Sequence, residues 1–181
     1  MADSMPAPPG IAGALTRLNS WLGRTCAWLT LFMVLATTLV VVLRYGFGIG
    51  AIALQETVMY AHALVFMGAA AWTMQRGGHV RVDIFYQKFS PRRQVITDLL
   101  GHLLLLLPVC LFLAWNSWDY VTSSWATREA SSEAGGLAFV YLQKSIILLM
   151  LASLILQAFA DILIAIARLR GKLPMPEVQH G

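Results

Sequence analysis

The sequence predicts an all-α integral membrane protein with four transmembrane helices, both termini in the cytoplasm and a short amphipathic interfacial helix between helices 2 and 3. Three observations predict it. Of the 181 residues, 58% are apolar and only 12% are charged, which is more apolar surface than a soluble domain of this size can cover. The apolar residues fall into four runs, each near the roughly 20 residues that a bilayer core requires. Finally, the basic residues collect on one side of those runs.

The predicted helices span about 25–43, 54–74, 95–118 and 141–167. The first contains no charged residue. The other three carry polar residues that need an explanation inside a membrane, namely Glu56, His62, Asp98, His102, Lys144 and Asp161. Together the helices form a membrane domain over residues 17–170. A Pro-rich segment, 1–16, is predicted to be a disordered lead-in, and 171–181 a cytoplasmic tail.

The first run also has features of a signal peptide, because two arginines precede it and Ala51-Ile52-Ala53 resembles a cleavage site. It is longer than a usual signal-peptide core, and Arg44 interrupts it before the small residues. We therefore interpret it as an uncleaved helix.

The orientation follows from the distribution of lysine and arginine, of which the chain has 13. One side holds Arg17, Arg24, Arg76, Arg81, Lys88, Arg92, Arg93, Arg168, Arg170 and Lys172, whereas the other holds Arg44, Arg128 and Lys144. The richer side is predicted to be cytoplasmic. This clustering at the ends of apolar runs also accounts for the net charge of +4, so nucleic acid is not an expected partner, whereas membrane lipid is.

The loop between helices 2 and 3 has clear boundaries. Gly77-Gly78 is typical of a helix C-terminus, and Ser90-Pro91 of a helix N-terminus. The intervening HVRVDIFYQKF segment, read as a helix, places its apolar side chains on one face, which favours a helix lying flat at the inner headgroup layer. The strict alternation over residues 80–84 is also compatible with an extended segment.

Charged groups within a membrane suggest function by default. Asp98, Lys144 and Asp161 lie within about two turns of a helix end, however, where snorkelling or a neighbouring backbone can satisfy them. At the outer ends of helices 1 and 2, Arg44 and Glu56 are placed to form an ion pair or to contact a second membrane protein.

His62 and His102 raise a second interpretation, a haem held between helices 2 and 3, although their predicted depths are poorly matched. The sequence contains no hydrolase, phosphate-loop, zinc-protease or dinucleotide motif. It predicts no catalytic residue, no metal site and no cofactor, and therefore no enzyme.

The order of several short motifs resembles the small membrane subunit (DctQ type) of TRAP transporters, the tripartite ATP-independent periplasmic family. These motifs are Arg44-Tyr45, Gln55-Glu56, Gly68-Ala69-Ala70-Ala71, His79-Val80-Arg81-Val82-Asp83, and Lys144 with Gln157. The resemblance covers roughly residues 20–170. Two departures concern local geometry: Ala53-Leu54 replaces a tryptophan before the Gln-Glu pair, and a proline near the start of helix 4 is absent.

The resemblance implies a non-catalytic small permease subunit in a bacterial inner membrane. Its partners would be a large multi-helix permease subunit and a periplasmic substrate-binding protein. The complex would take up an organic acid, often a carboxylate, by symport driven by a sodium or proton gradient. The resemblance also makes Arg44, Gln55, Glu56, His79, Arg81, Asp83, Lys144 and Gln157 candidates for contact with a partner. Two alternatives stay open, a haem-binding membrane anchor of a respiratory enzyme and a small self-sufficient exporter.

Overall fold

Four helices long and apolar enough to cross a membrane make up the computed structural model, which describes residues 10–78 and 86–175. The elements are α1 (Ile11–Gly46), α2 (Ile52–Gly68), α3 (Ala70–Gln75), α4 (Pro91–Gly101), a π-helical segment (His102–Leu106), α5 (Leu107–Thr127) and α6 (Val140–Leu169). α2 and α3 form one span, and α4, the π segment and α5 form another. The described residues contain no strand. The predicted all-helical membrane architecture with four spans is therefore confirmed.

The helices extend beyond the apolar runs that predicted them. α1 begins at Ile11, within the segment predicted to be disordered, and α5 continues to Thr127, nine residues past the predicted end at Trp118. Hydropathy predicts where a helix leaves hydrocarbon, but backbone hydrogen bonding continues into the headgroup layer and water. α5 ends where Arg128 adopts a left-handed conformation with φ of 47°.

α6 is the centre of the packing. It contacts every other element, whereas α5 packs chiefly on α6 and the π segment. α1 and α2 pack on each other and on α6. The domain is therefore a three-helix cluster of α1, α2–α3 and α6, to which the α4–α5 span is attached through α6.

The boundaries of the loop between α3 and α4 agree with the sequence. Gly77 has φ of 65°, and the N–H of Gly78 donates to the carbonyl of Thr73 at 2.9 Å, which closes the end of α3. α4 begins at Pro91 with Ser90 as N-cap. Both predicted boundaries are confirmed. The predicted interfacial helix falls largely on residues 79–85, outside the described residues, and stays a prediction.

Small residues let α1 approach the α2–α3 span closely. A Cβ atom added to Gly23 would lie 2.5 Å from the Cβ of Trp72, and one added to Gly68 would lie 2.8 Å from the Sγ of Cys26. Ala71 is 1% exposed. The Gly68–Ala71 patch therefore allows the close helix packing that small residues permit in membranes.

Candidate functional site

An amide of α1 and an amide of α6 bond to each other in the half of the domain that contains the start of α1 and the end of α6, here called the inner half. Asn19 Nδ2 donates to Gln157 Oε1 at 3.0 Å and lies 3.3 Å from the carbonyl oxygen of Ser153. The two side chains are 2% and 1% exposed, respectively. Because a buried amide without a partner is costly, this pair fixes how α1 is rotated and how deep it lies against α6.

Gln157 extends this contact toward the π segment. Its Nε2 donates to Asp161 Oδ1 at 3.0 Å, one helical turn further along α6. The second carboxylate oxygen, Oδ2, lies 3.4 Å from His102 Nε2 in the π segment. We call Asn19, Gln157, Asp161 and His102 the inner network. It links α1, α6 and the π segment, and so joins the three-helix cluster to the α4–α5 span.

The π segment positions His102. The N–H of Leu107 donates to the carbonyl of His102, five residues earlier, instead of four as in an α-helix. Pro108 accounts for this local change, because it has no N–H to donate and its ring clashes with the carbonyl four residues before it. His102 Nδ1 meets the carbonyl oxygen of Asp98 at 2.6 Å. Both ring nitrogens therefore face acceptors, an arrangement that an imidazolium matches.

A cavity of about 210 Å³ adjoins the inner network. Asp98, His102, Asp161 and Arg168 contribute its charged or titratable lining. Asp98 also accepts a hydrogen bond of 2.7 Å from the hydroxyl of Tyr86. Arg168 Nε is buried and has no hydrogen-bond partner in the described part of the chain. The cavity is large enough for a few water molecules, which can bond such a donor.

At the opposite end of the domain, Glu56 holds the loop between α5 and α6. Its carboxylate accepts a hydrogen bond from the hydroxyl of Ser131 and one of 2.6 Å from the backbone N–H of Leu137. A Cβ atom on Gly136 would lie 2.8 Å from Glu56 Oε1, so the loop can close this tightly only with glycine there. Among the described residues Glu56 makes no ion pair with Arg44. The interpretation of these two residues as an ion pair is therefore wrong, because loop donors occupy the carboxylate.

Lys144 forms a second contact at this end. Its Nζ lies 2.5 Å from Glu129 Oε2 and 4.0 Å from the centroid of the Tyr120 ring. The lysine side chain is 16% exposed. Glu129 follows α5, Lys144 is in the first turns of α6, and the backbone N–H of Val140 donates to the carbonyl of Glu129 at 3.1 Å. The ion pair of Lys144 with Glu129 thus connects the C-terminal end of α5 to the N-terminal end of α6.

This contact predicts a pH effect. The bound Lys144 ammonium holds the pKa of the Glu129 carboxyl below its ordinary value of 4.5. A lowered pKa means that the interaction stabilises the fold above that value and is lost as the pH falls through the lowered pKa. We expect Glu129→Gln to lower Tm slightly at neutral pH, and the difference from wild type to disappear at low pH, once the pH has fallen through the lowered pKa.

The matched control for this measurement is Glu133→Gln in the same loop, because Glu133 makes no ion pair within the described residues. It should leave Tm unchanged at both pH values. A Glu129→Gln difference that persists unchanged at low pH would show that the ion pair does not stabilise the loop.

The remaining candidates from the sequence are dispersed. Arg44 is exposed in the last turn of α1, and Gln55 is half-buried in the first turn of α2 beside Glu56. Gln157 lies in the inner network. His79, Arg81 and Asp83 lie outside the described residues. The structure thus distributes the described candidates between two ends of the domain and does not assemble them into one site.

The two histidines considered as haem ligands have unlike surroundings. His62 is exposed on α2, whereas His102 is half-buried and both of its nitrogens have partners. An axial haem ligand needs a free ring nitrogen facing the metal, and His102 offers none in this arrangement. Among the described residues, no three His, Cys, Asp or Glu side chains gather in a group that could hold a metal.

Sequence reasoning did not identify Asn19, Ser131 or Glu129 as partners. Asn19 could have been identified from its position, because it lies at helical spacing from Gly23 and Cys26. These small residues form the face of α1 that packs inward. Ser131 and Glu129 could not be identified in this way, since they lie in a loop whose path depends on the helices that it joins.

A family model described as tripartite ATP-independent periplasmic transporters, DctQ component, matches residues 33–168. The match covers well over half of the 181 residues and includes His102, Gln157 and Asp161, as well as both contacts at the opposite end. Asn19 precedes it. No curated protein and no solved structure matches the chain.

Proposed function

We propose, on the premise that this chain belongs to the DctQ component family of the tripartite ATP-independent periplasmic transporters, that it is the non-catalytic small permease subunit of such a transporter. In this role it scaffolds a large multi-helix permease subunit, which carries the substrate and ion sites. The complex lies in a bacterial inner membrane with both termini of this chain in the cytoplasm. The excess of basic residues on that side supports the orientation.

The transporter is a secondary-active symporter. A periplasmic binding protein delivers an organic acid, of the carboxylate class, and a sodium or proton gradient drives its uptake. This chain performs no bond-making step. Its contribution is to hold the large subunit at a fixed depth and orientation, helped by basic residues that attract anionic lipids at the inner surface.

The observation that carries this proposal is which partners the polar groups within the spans bond. Asp161 bonds Gln157 and pairs with His102, and Glu56 and Lys144 bond the outer loop or its edge. A transport path needs polar groups that can exchange partners with an ion or a substrate. Here the groups connect helices to one another, which is the property of a scaffold.

Polar residues near the two ends of the domain supply candidate contacts with partners. Arg44 and Gln55 are on the side assigned to the periplasm, where both the large subunit and the binding protein can be reached. His79, Arg81 and Asp83 belong to the cytoplasmic loop, where we propose that they assist assembly as part of the interfacial helix. None of these residues has a catalytic role in the proposal.

The proposal predicts the composition of an active transporter. Proteoliposomes containing this chain, a large permease subunit and a binding protein should accumulate an organic acid when a sodium or proton gradient is imposed. Omitting this chain should reduce uptake at least tenfold, because the large subunit loses its scaffold. The control is the chain alone, which should give no uptake above empty liposomes. Gradient-driven uptake by the chain alone would contradict the proposal and favour the exporter.

A further inference from the structure

One narrow stripe of α2 faces away from the rest of the domain. Met59, His62 and Phe66 are exposed, Met59 to 60% and Phe66 to 73%, while the other residues of α2 are buried or half-buried. Spacings of three and four residues place these side chains on one face of the helix. We call this set the α2 stripe. α1 and α6 pack on the remaining surface of α2.

His62 lies deep in the membrane. It is ten residues after Ile52 and thirteen before Gln75, the ends of this span. At about 1.5 Å per residue, these separations correspond to about 15 Å and about 20 Å. The imidazole is therefore close to the middle of a hydrocarbon core of about 30 Å, where no headgroup or bulk water reaches it.

Several other polar side chains in the spans bond their own helix. Asn116 Nδ2 donates to the carbonyl of Phe112 at 2.8 Å, and Thr38 Oγ1 to that of Val34 at 2.8 Å. His102 likewise meets the carbonyl four residues before it. His62 makes no such bond within the described residues. Its ring offers both a donor and an acceptor, which hydrocarbon cannot satisfy and a polar group on another helix can.

We propose that the α2 stripe is where a transmembrane helix of the large permease subunit packs, with a polar side chain or free carbonyl of that helix bonding His62. Met59 and Phe66 supply the apolar contact on either side. The inference rests on the proposed function, which supplies the partner. Lipid does not fit this position, because its acyl chains offer no hydrogen bond to the imidazole. The intramembrane histidine thus identifies the occupied face of the scaffold.

The test uses the complex of this chain with its large permease subunit, purified through a tag on the latter. The photo-crosslinker p-benzoylphenylalanine replaces Phe66, and Phe112 on α5 is the matched control, an aromatic side chain that is 66% exposed on the far side of α6. We expect illumination to join position 66, and not position 112, to the large subunit. If the large subunit copurifies but forms no adduct with position 66, the α2 stripe is not its contact surface, and the proposed function is unaffected.

Two further outcomes distinguish a failure of the proposed contact at the α2 stripe from a failure of the proposed function. Loss of copurification already in the wild-type complex would contradict the proposed function itself. An adduct of position 66 with twice the mass of this chain would show that a second copy covers the stripe, and would overturn the inference.

A second measurement tests the imidazole. His62→Leu should weaken binding of the large subunit about threefold or more, as expected for loss of one hydrogen bond within a membrane. His62→Gln, which retains a donor and an acceptor, should restore most of it, and Met59→Leu should change little. Equal binding by the leucine and glutamine variants would show that His62 makes no polar contact with the partner.

Discussion

Asp161→Ala is expected to lower the free energy of unfolding by about 2 kcal/mol. The carboxylate accepts from Gln157 Nε2 at 3.0 Å and lies 3.4 Å from His102 Nε2. Removing it leaves both nitrogens without these partners in the inner half of the domain. Each lost bond is worth roughly 1 kcal/mol, and an unpaired polar group in a membrane protein interior adds to that cost.

Unfolding in a titration with sodium dodecyl sulfate, followed by helical circular dichroism, measures this effect. Asp161→Asn should lose less, because its amide oxygen can still accept from Gln157. The matched control is Asn116→Ala, which removes an exposed amide that bonds only a carbonyl of its own helix. Equal stability of Asp161→Ala and Asn116→Ala would show that the inner network contributes no stability.

Gly23→Ala is expected to lower the same free energy by about 2 kcal/mol, within the range for overpacking a tight interior. The added methyl group would lie 2.5 Å from Cβ and Cγ of Trp72. The Cβ atom is attached directly to the backbone of α3, so rotation of the side chain cannot relieve its overlap with the added methyl group. α1 and α3 must therefore separate, and the contacts around them are weakened.

Gly101→Ala is the control, because it adds the same methyl group to a helix where no atom lies within 4 Å of it. Alanine favours a helix over glycine by up to about 1 kcal/mol, so this variant should be unchanged or more stable. Only Gly23→Ala is therefore expected to lower the free energy of unfolding. Stabilisation by both would show that α1 and α3 do not pack at this distance in the membrane.

The structure also changes how the charged residues within the spans are interpreted. The sequence suggested that snorkelling or a neighbouring backbone could satisfy Asp161 and Lys144. Instead, Asp161 has side-chain partners on its own helix and on the π segment, and Lys144 pairs with Glu129. Both residues connect one span to another, which favours a rigid scaffold.

The sequence by itself determined the four spans, their boundaries at Gly77-Gly78 and Ser90-Pro91, and the resemblance to a transporter subunit. These features depend on composition and local spacing, because the transfer of a helix into hydrocarbon is approximately a sum over its own residues. Only the tertiary structure decided that α6 is the centre of the packing, that Glu56 bonds the loop between α5 and α6 and not Arg44, and that Asn19 reaches Gln157. Each of those contacts depends on the rotation and depth of one helix against another, which residues far apart in the chain determine together.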